Sequence, residues 1–93
     1  MKRLDLIISE KELDSVLEIL DKASVPGYSV IKHVTGRGAY ASISEGMDFS
    51  GLGANAHVIV FCEQDVLDKI REKITSLLDY YGGVAYVAEA NKL

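Results

Sequence analysis

Apolar and polar residues alternate near the start of the chain with the two-residue period of a β-strand. Leu4, Leu6 and Ile8 fall on one side of this segment, and Asp5 and Ile7 fall on the other. Three further segments, at residues 28–35, 56–62 and 84–89, are rich in the β-branched and aromatic residues that fit a pleated surface. The pattern predicts four strands.

Two segments have helical spacing instead. The first begins after Ser9 and Glu12, which match a capping box, and it ends at the 24–27 turn with the single proline, Pro26. The second begins at the acidic start Glu63-Gln64-Asp65 and ends at Gly82, because glycine accepts the left-handed conformation. The two apolar stripes consist of Leu13, Val16, Leu17 and Leu20, and of Val66, Ile70, Ile74, Leu77 and Tyr81.

The resulting order, βαββαβ, predicts an α+β fold of the ferredoxin-like type. Right-handed crossovers place both helices on one face of a four-stranded antiparallel sheet. The third and fourth strands are apolar on both sides. In the third strand, Ile59 and Phe61 lie on one side, and the other side consists of Ala56, Val58, Val60 and Cys62. In the fourth strand, Val84 and Tyr86 lie opposite Ala85 and Val87. We expect copies of the chain to cover the second apolar face, leaving clefts between subunits.

Composition narrows the class of protein. The 93 residues predict one domain, 1–93, and 10 basic against 14 acidic residues give a net charge of −4, which argues against a nucleic-acid partner. The single cysteine, Cys62, excludes an internal disulfide, and no segment predicts a signal peptide or a membrane span. A cytoplasmic protein without direct membrane insertion is expected.

The stretch from Ala39 to Asn55 follows neither period and is glycine- and serine-rich. Loops of this length inside a compact domain are usually functional or disordered. Tyr40, Met47, Phe49 and Leu52 are apolar or aromatic residues that a partner surface would use. Just before the loop, Gly36 and Gly38 flank Arg37, whose guanidinium suits phosphate oxygens. A glycine-rich strand exit with a solvated arginine is the plainer alternative.

Several segments in this order and spacing resemble the PII signalling proteins. They are the opening residues 1–8, Glu12-Leu13-Asp14 with Val16, residues 25–30 (Val-Pro-Gly-Tyr-Ser-Val) and Gly36-Arg37-Gly38. The resemblance extends through most of the chain. It implies homotrimers of ferredoxin-like subunits that bind adenine nucleotides between subunits. It also implies a T-loop, about residues 39–55, that grips or releases a membrane transport protein of the inorganic-carbon or ammonium type.

The resemblance also assigns nucleotide-binding residues. Gly27, Tyr28 and Ser29 would lie by the base with Val60 near it, while Gly36, Arg37 and Gly38 would approach the phosphate and Gly83 would belong to the opposite turn. The family's basic residue after the final-strand glycine is Val84 here, and no arginine-bearing tail follows residue 89. Because Arg37 alone would compensate a triphosphate poorly, we expect AMP or ADP to bind better than ATP. The family's glutamine after the second glycine is Ala39 here, which argues against sensing of 2-oxoglutarate.

Two other classes of function stay open at this point. A metal-responsive module of the copper-tolerance type shares the trimeric ferredoxin-like architecture, but His33, His57 and Cys62 lack the close spacing of a metal site, so no metal is expected. Cys62 is interpreted as buried packing, and Tyr80 and Tyr81 as helix-end packing. An enzyme is the third class. No nucleophile, base and orienting group occur together, and no catalytic residue is assigned.

Overall fold

In a computed structural model, which describes residues 1–36 and 55–93, the chain forms one four-stranded sheet and two helices. The strands are β1 (Lys2–Ser9), β2 (Tyr28–Val34), β3 (Asn55–Cys62) and β4 (Val84–Glu89), and the helices are α1 (Leu13–Lys22) and α2 (Gln64–Tyr81). The sheet is antiparallel, with the strand order β2-β3-β1-β4. These elements confirm the predicted βαββαβ ferredoxin-like fold.

The helix-covered face of the sheet holds the core. Leu4, Leu6 and Ile8 of β1 are buried, as the alternation predicted, and they lie beside the buried residues of β3. Burial of this many aliphatic side chains is the main favourable term in the stability of the domain. The remaining members of the core are Leu13, Val16, Leu20, Ala56, Val58, Val60, Cys62, Leu67, Ile70 and Ile74.

The start of the first helix differs from the predicted capping box. Ser9 Oγ accepts a hydrogen bond from the Lys11 amide at 3.2 Å, and a 3₁₀ turn, Glu10–Glu12, precedes α1. Glu12 makes no side-chain capping bond, so its half of the box is wrong. The physical reason lies in the tighter turn, which presents the amide two residues on, instead of three, to the serine hydroxyl.

The second helix, α2, confirms one prediction about its C-terminal end and corrects another. Gly82 has φ +89° and donates its amide to Leu78 O at 2.7 Å, so it ends α2 in a conformation that glycine readily adopts. The apolar stripe of α2 includes Leu67, which the sequence pattern missed. Tyr80 is 80% exposed and Tyr81 is 44% exposed, so neither packs on the core as predicted. Their rings instead contact each other edge to face, with 4.7 Å between the centroids.

Candidate functional site

The residues predicted to lie by a nucleotide base form a group at the start of β2. Tyr28 is paired across the strands with Val60 of β3, and Ser29 is paired with Ile59. Gly27 immediately precedes the strand, and all three residues 27–29 are exposed. The structure therefore brings Gly27, Tyr28, Ser29 and Val60 together at one corner of the sheet.

Two side chains of this group are already engaged within the chain. Val60 is fully buried on the helix-covered face, so its side chain offers no surface to a ligand. Tyr28 lies on that same face by its pairing with Val60, and partial burial, followed by the nearby Asp21 of α1, raises the pKa of its phenol. Gly27 and Ser29 are the members with the freest access.

The other predicted nucleotide-binding residues that the structure describes, Gly36 by the phosphate and Gly83 in the opposite turn, lie elsewhere. Gly36 follows the far end of β2, and Gly83 precedes β4, the opposite edge strand. At about 3.3 Å per residue, Gly36 lies roughly 30 Å along the strand from Gly27, and the two edge strands are about 14 Å apart. One nucleotide cannot touch both groups of a single chain. Any site that uses them all combines residues from two copies.

Gly36 and Gly27 differ from Gly83 in their reason for being glycine. A Cβ added at Gly83 would meet Ile7 O at 2.7 Å, and its φ is +111°, so the fold itself requires glycine there. A Cβ added at Gly27 or Gly36 would meet nothing within 4 Å, and neither residue has a positive φ. The folded chain does not require these two glycines, which leaves close approach by a ligand or a second copy as a reason for them.

The other predicted site residues lie outside the described part of the chain. These are Arg37 and Gly38 at the start of the loop, and Tyr40, Met47, Phe49 and Leu52 within it. Their roles in phosphate binding and partner binding stay predictions. His33, three residues before Gly36, donates its backbone amide to Glu10 Oε2 at 2.8 Å from a β-bulge with φ +62°. The C-terminal end of β2 is therefore tied to the β1–α1 turn.

A cleft of about 370 Å³ lies between β4 and α2. Leu4 and Ile70 contribute apolar surface, and Arg71 and Asp79 contribute charge. Gly83 is the one predicted nucleotide-binding residue that lines it. Within the described chain, the cleft therefore does not gather the predicted residues into a complete nucleotide site.

The open face of the sheet carries a polar cluster that sequence reasoning missed. Asp5 Oδ1 accepts a hydrogen bond from Arg3 Nε at 2.8 Å, and Asp5 Oδ2 lies 3.0 Å from Arg3 Nη2 and 2.8 Å from His57 Nε2. The Arg3 guanidinium also lies 5.8 Å from the ring centroid of Phe61. Hydrogen bonds from Arg3, supported by the contact with His57, hold the pKa of Asp5 below its usual value.

A signal for this cluster was present in the sequence. Arg3 and Asp5 share one side of β1 by the period of two, and His57 occupies the corresponding side of β3. Only the strand register, which pairs Asp5 with Ile59 and Ile7 with His57, shows that the three side chains meet. The open face therefore carries one polar cluster among apolar residues, which include Ile7 and Ile59 of the same two strands.

The remaining titratable candidate, Cys62, is a free thiol in the core. It is 1% exposed, as its interpretation as packing predicted. Burial, followed by the nearby carboxylates of Glu63 and Asp65, raises the pKa of this thiol. Among residues 1–36 and 55–93, no group of three His, Cys, Asp or Glu side chains is placed to hold a metal ion.

Comparisons with known proteins agree on the family and the fold. The family model described as nitrogen regulatory protein P-II matches residues 1–93. The chain is similar to CPII, a nitrogen regulatory PII-like protein from Thiomonas intermedia K12. In its complex with ADP, AMP and bicarbonate, CPII has a TM-score of 0.78 and 21% identity over 94% of this chain and 82% of that chain.

Two further structures of CPII match in the same way. The complex with ADP and bicarbonate has a TM-score of 0.77 and 22% identity, covering 94% of this chain and 82% of that chain. The apo form has a TM-score of 0.74 and 19% identity, covering 94% of this chain and 85% of that chain. No protein of curated function matches the chain.

Proposed function

The chain belongs to the nitrogen regulatory protein P-II family, and on that premise we propose that it is a signalling protein that responds to adenine nucleotides. The observation that carries the proposal is the family match over residues 1–93. Proteins of this family are signalling proteins, generally without enzymatic activity, and are typically trimeric. We therefore assign no catalytic residue to the chain.

The nucleotide we propose is AMP or ADP. CPII binds both, with bicarbonate, in a structure that shares this fold. In the present chain a site would join Gly27, Tyr28 and Ser29 of one copy to the loop root at Gly36 and the turn at Gly83 of another. The distance between these groups within one chain supports such a shared site. Homotrimers are accordingly part of the proposal.

Regulation of a membrane transport protein is a further part of the proposal. A nucleotide between copies would set the conformation of the T-loop, residues 39–55, which would then bind or release a membrane transport protein through Tyr40, Met47, Phe49 and Leu52. The bicarbonate bound by CPII favours an inorganic-carbon transporter over an ammonium transporter. Among the described helices, none is long and apolar enough to cross a membrane. A cytoplasmic location belongs to the same proposal.

Calorimetric titration with AMP, ADP and ATP tests the nucleotide site. We expect AMP and ADP to bind more tightly than ATP, because the predicted phosphate contacts include one arginine, Arg37. Gly36→Ala should weaken AMP binding about tenfold while leaving thermal unfolding unchanged, since a Cβ at that position meets no neighbour. Arg37→Ala should also weaken AMP binding, because it removes the predicted phosphate contact. Its control is Lys69→Ala, which removes a positive charge from the exposed side of α2.

Two results would contradict the proposal. Absence of binding by any adenine nucleotide at millimolar concentration would exclude the nucleotide response. Equal losses for Arg37→Ala and Lys69→Ala would show that overall charge, and not the loop root, determines affinity. Copper and zinc tested in parallel would measure the metal-responsive alternative, which no observation on the described residues favours.

Co-purification tests the transporter. The protein would be expressed with an inorganic-carbon transporter or an ammonium transporter, and retention on each would be compared with and without AMP. We expect AMP to change retention of one of them, and Phe49→Ala to reduce it without affecting calorimetric AMP binding. Retention that is unchanged by both the nucleotide and the loop substitution would overturn the assignment of the T-loop.

A further inference from the structure

The C-terminal end of β2 has an unusual backbone conformation. Among the described residues other than glycine, only Ser24 and His33 have a positive φ, of 57° and 62°. Ser24 lies just after α1, where helices commonly end in this conformation, whereas His33 lies inside a strand. A positive φ is unfavourable for a residue with a Cβ, and it persists where the surrounding structure holds it. His33 therefore requires a contact that stabilises its conformation.

Glu10, in the turn after β1, makes that contact. The register with β3 shifts between Lys32 and Val34, so His33 is the bulged residue of β2. Its amide donates a hydrogen bond to Glu10 Oε2 at 2.8 Å, and its ring Nδ1 lies 3.3 Å from the same oxygen. A hydrogen bond from an amide to a carboxylate is roughly twice as strong as one between neutral groups. The carboxylate thus compensates the unfavourable φ of the bulge.

The backbone of Glu10 is fixed on both sides. Its carbonyl oxygen accepts a hydrogen bond from the Leu13 amide, which closes the 3₁₀ turn Glu10–Glu12. On the other side, Ser9 is buried and its Oγ accepts the Lys11 amide at 3.2 Å. The Glu10 side chain is 25% exposed, against 77% for that of His33. The turn that replaces the predicted capping box therefore directs the carboxylate toward β2 from a fixed position.

We propose that Glu10 is a positioning residue for Gly36: its carboxylate holds the bulge at His33, and the bulge sets the direction in which β2 delivers Gly36. The inference rests on the proposed function, which places the phosphate of AMP or ADP at Gly36. It goes further by naming a residue outside the predicted site that determines the affinity of that site. Glu10 acts through the backbone of β2 and not by touching the nucleotide.

Gly36 is placed to respond to a change at His33. The strand ends at Val34, whose pairing with Asn55 is the last of the ladder, and Gly36 lies exposed two residues beyond it. The direction of the chain at Gly36 therefore depends on the last constrained residues of β2. β-Bulges re-aim the chain in this way beside functional sites. Without the carboxylate, His33 can return to a negative φ, and fewer chains then hold Gly36 in the binding conformation.

Calorimetric titration of AMP into variants of the full chain tests the inference. Glu10→Ala should weaken AMP binding about tenfold, the factor that corresponds to a binding conformation populated in about a tenth of the chains. Glu10→Gln keeps an oxygen that can accept the His33 amide and should restore most of the affinity. Glu12→Ala is the matched control, because it removes a negative charge from the same turn and Glu12 makes no side-chain capping bond. Loss of negative charge alone should favour an anionic nucleotide, so the loss expected for Glu10→Ala has the opposite sign.

Substitutions of His33 separate its backbone conformation from its ring. His33→Asn keeps the amide, and asparagine is among the residues that adopt a positive φ most readily, so AMP affinity should stay near that of the wild type. His33→Val introduces a β-branched side chain that disfavours a positive φ, and it should reproduce the loss although Glu10 is still present. Thermal unfolding of each variant shows whether a loss of affinity reflects loss of the fold. Equal affinities for His33→Asn and His33→Val would contradict the role of the bulge.

Nuclear magnetic resonance without nucleotide tests the positioning apart from the proposed function. The three-bond coupling between the amide and α protons of His33 reports its φ, and the amide shift of Gly36 reports its surroundings. Both should change in Glu10→Ala and stay near the wild-type values in Glu10→Gln. Unchanged signals in Glu10→Ala, or wild-type AMP affinity in that variant, would overturn the inference. A wild-type chain that binds no adenine nucleotide would overturn the proposed function, and the same spectra would still decide whether Glu10 positions Gly36.

Discussion

The two faces of the sheet use the same strands for different purposes. On the helix-covered face, Leu6 and Val58 are fully buried, and they are paired across β1 and β3. On the open face, the same two strands carry Ile7, which is paired with His57, and Phe61, which remains 41% exposed. The covered face completes the core of one chain, whereas the open face leaves large apolar side chains exposed.

Substituting one residue on each face by alanine measures the difference in their contributions to stability most directly. Leu6→Ala should lower the free energy of unfolding by about 3 kcal/mol, because it leaves a cavity in the core. Phe61→Ala should change unfolding of the separated chain by less than about 1 kcal/mol, the scale of its contact with Arg3. Urea denaturation at low protein concentration gives both values, and sedimentation should show the larger effect on association for Phe61→Ala. Equal losses of stability would contradict the distinction between the faces.

The turn between α2 and β4 provides the next test, which concerns the conformation of its glycine. Gly83→Ala should lower the free energy of unfolding by about 2 kcal/mol, because it combines a positive φ with a Cβ against the Ile7 carbonyl. Gly27→Ala is the matched control. It should leave stability unchanged or raise it by up to about 1 kcal/mol, since the unfolded chain loses conformational freedom and the folded chain has room. Thermal or urea unfolding distinguishes the two variants.

Cys62 extends the comparison to pH, because it lies on the covered face beside the exposed Phe61. Burial raises the pKa of its thiol above the value in the unfolded chain. The contribution of the neutral thiol to stability is therefore complete below the unfolded pKa and is lost as pH rises through the folded one. We expect the wild type to lose more stability than Cys62→Ala as pH rises above the unfolded pKa of about 8.5. Parallel denaturation curves for the two proteins across this range would contradict it.

Local periodicity was sufficient to predict the fold. The period of two in β1 identified Leu4, Leu6 and Ile8 as core residues, and helical spacing did the same for Val16 and Leu20. Predictions that depended on turn geometry were less successful. The Ser9 cap acts on Lys11 because a 3₁₀ turn intervenes, and the tyrosines at the end of α2 are exposed.

The candidate sites were less accessible to sequence reasoning, for a physical reason. The strand predicted at residues 28–35 does place Gly27 and Gly36 at its opposite ends, as β2 does. The Arg3–Asp5–His57 cluster depends on pairing between residues about fifty positions apart, and no local pattern contains that register. The roles predicted for residues 39–55 rest on the family resemblance and on the chemistry of their side chains.

The smallest expected effect concerns Asp5 on the open face. Its pKa is lowered chiefly by the hydrogen bonds from Arg3, so its contribution to stability is present above the unfolded pKa of about 4 and is lost as pH falls through the folded one. Both side chains are partly exposed, and water screens the interaction. We therefore expect the wild type to lose slightly more stability than Asp5→Asn between pH 5 and pH 2.5, in urea titrations at each pH. Asp14→Asn on the exposed side of α1 is the control and should follow the wild type. If Asp5→Asn also follows it, the hydrogen bonds between Arg3 and Asp5 do not stabilise the folded chain.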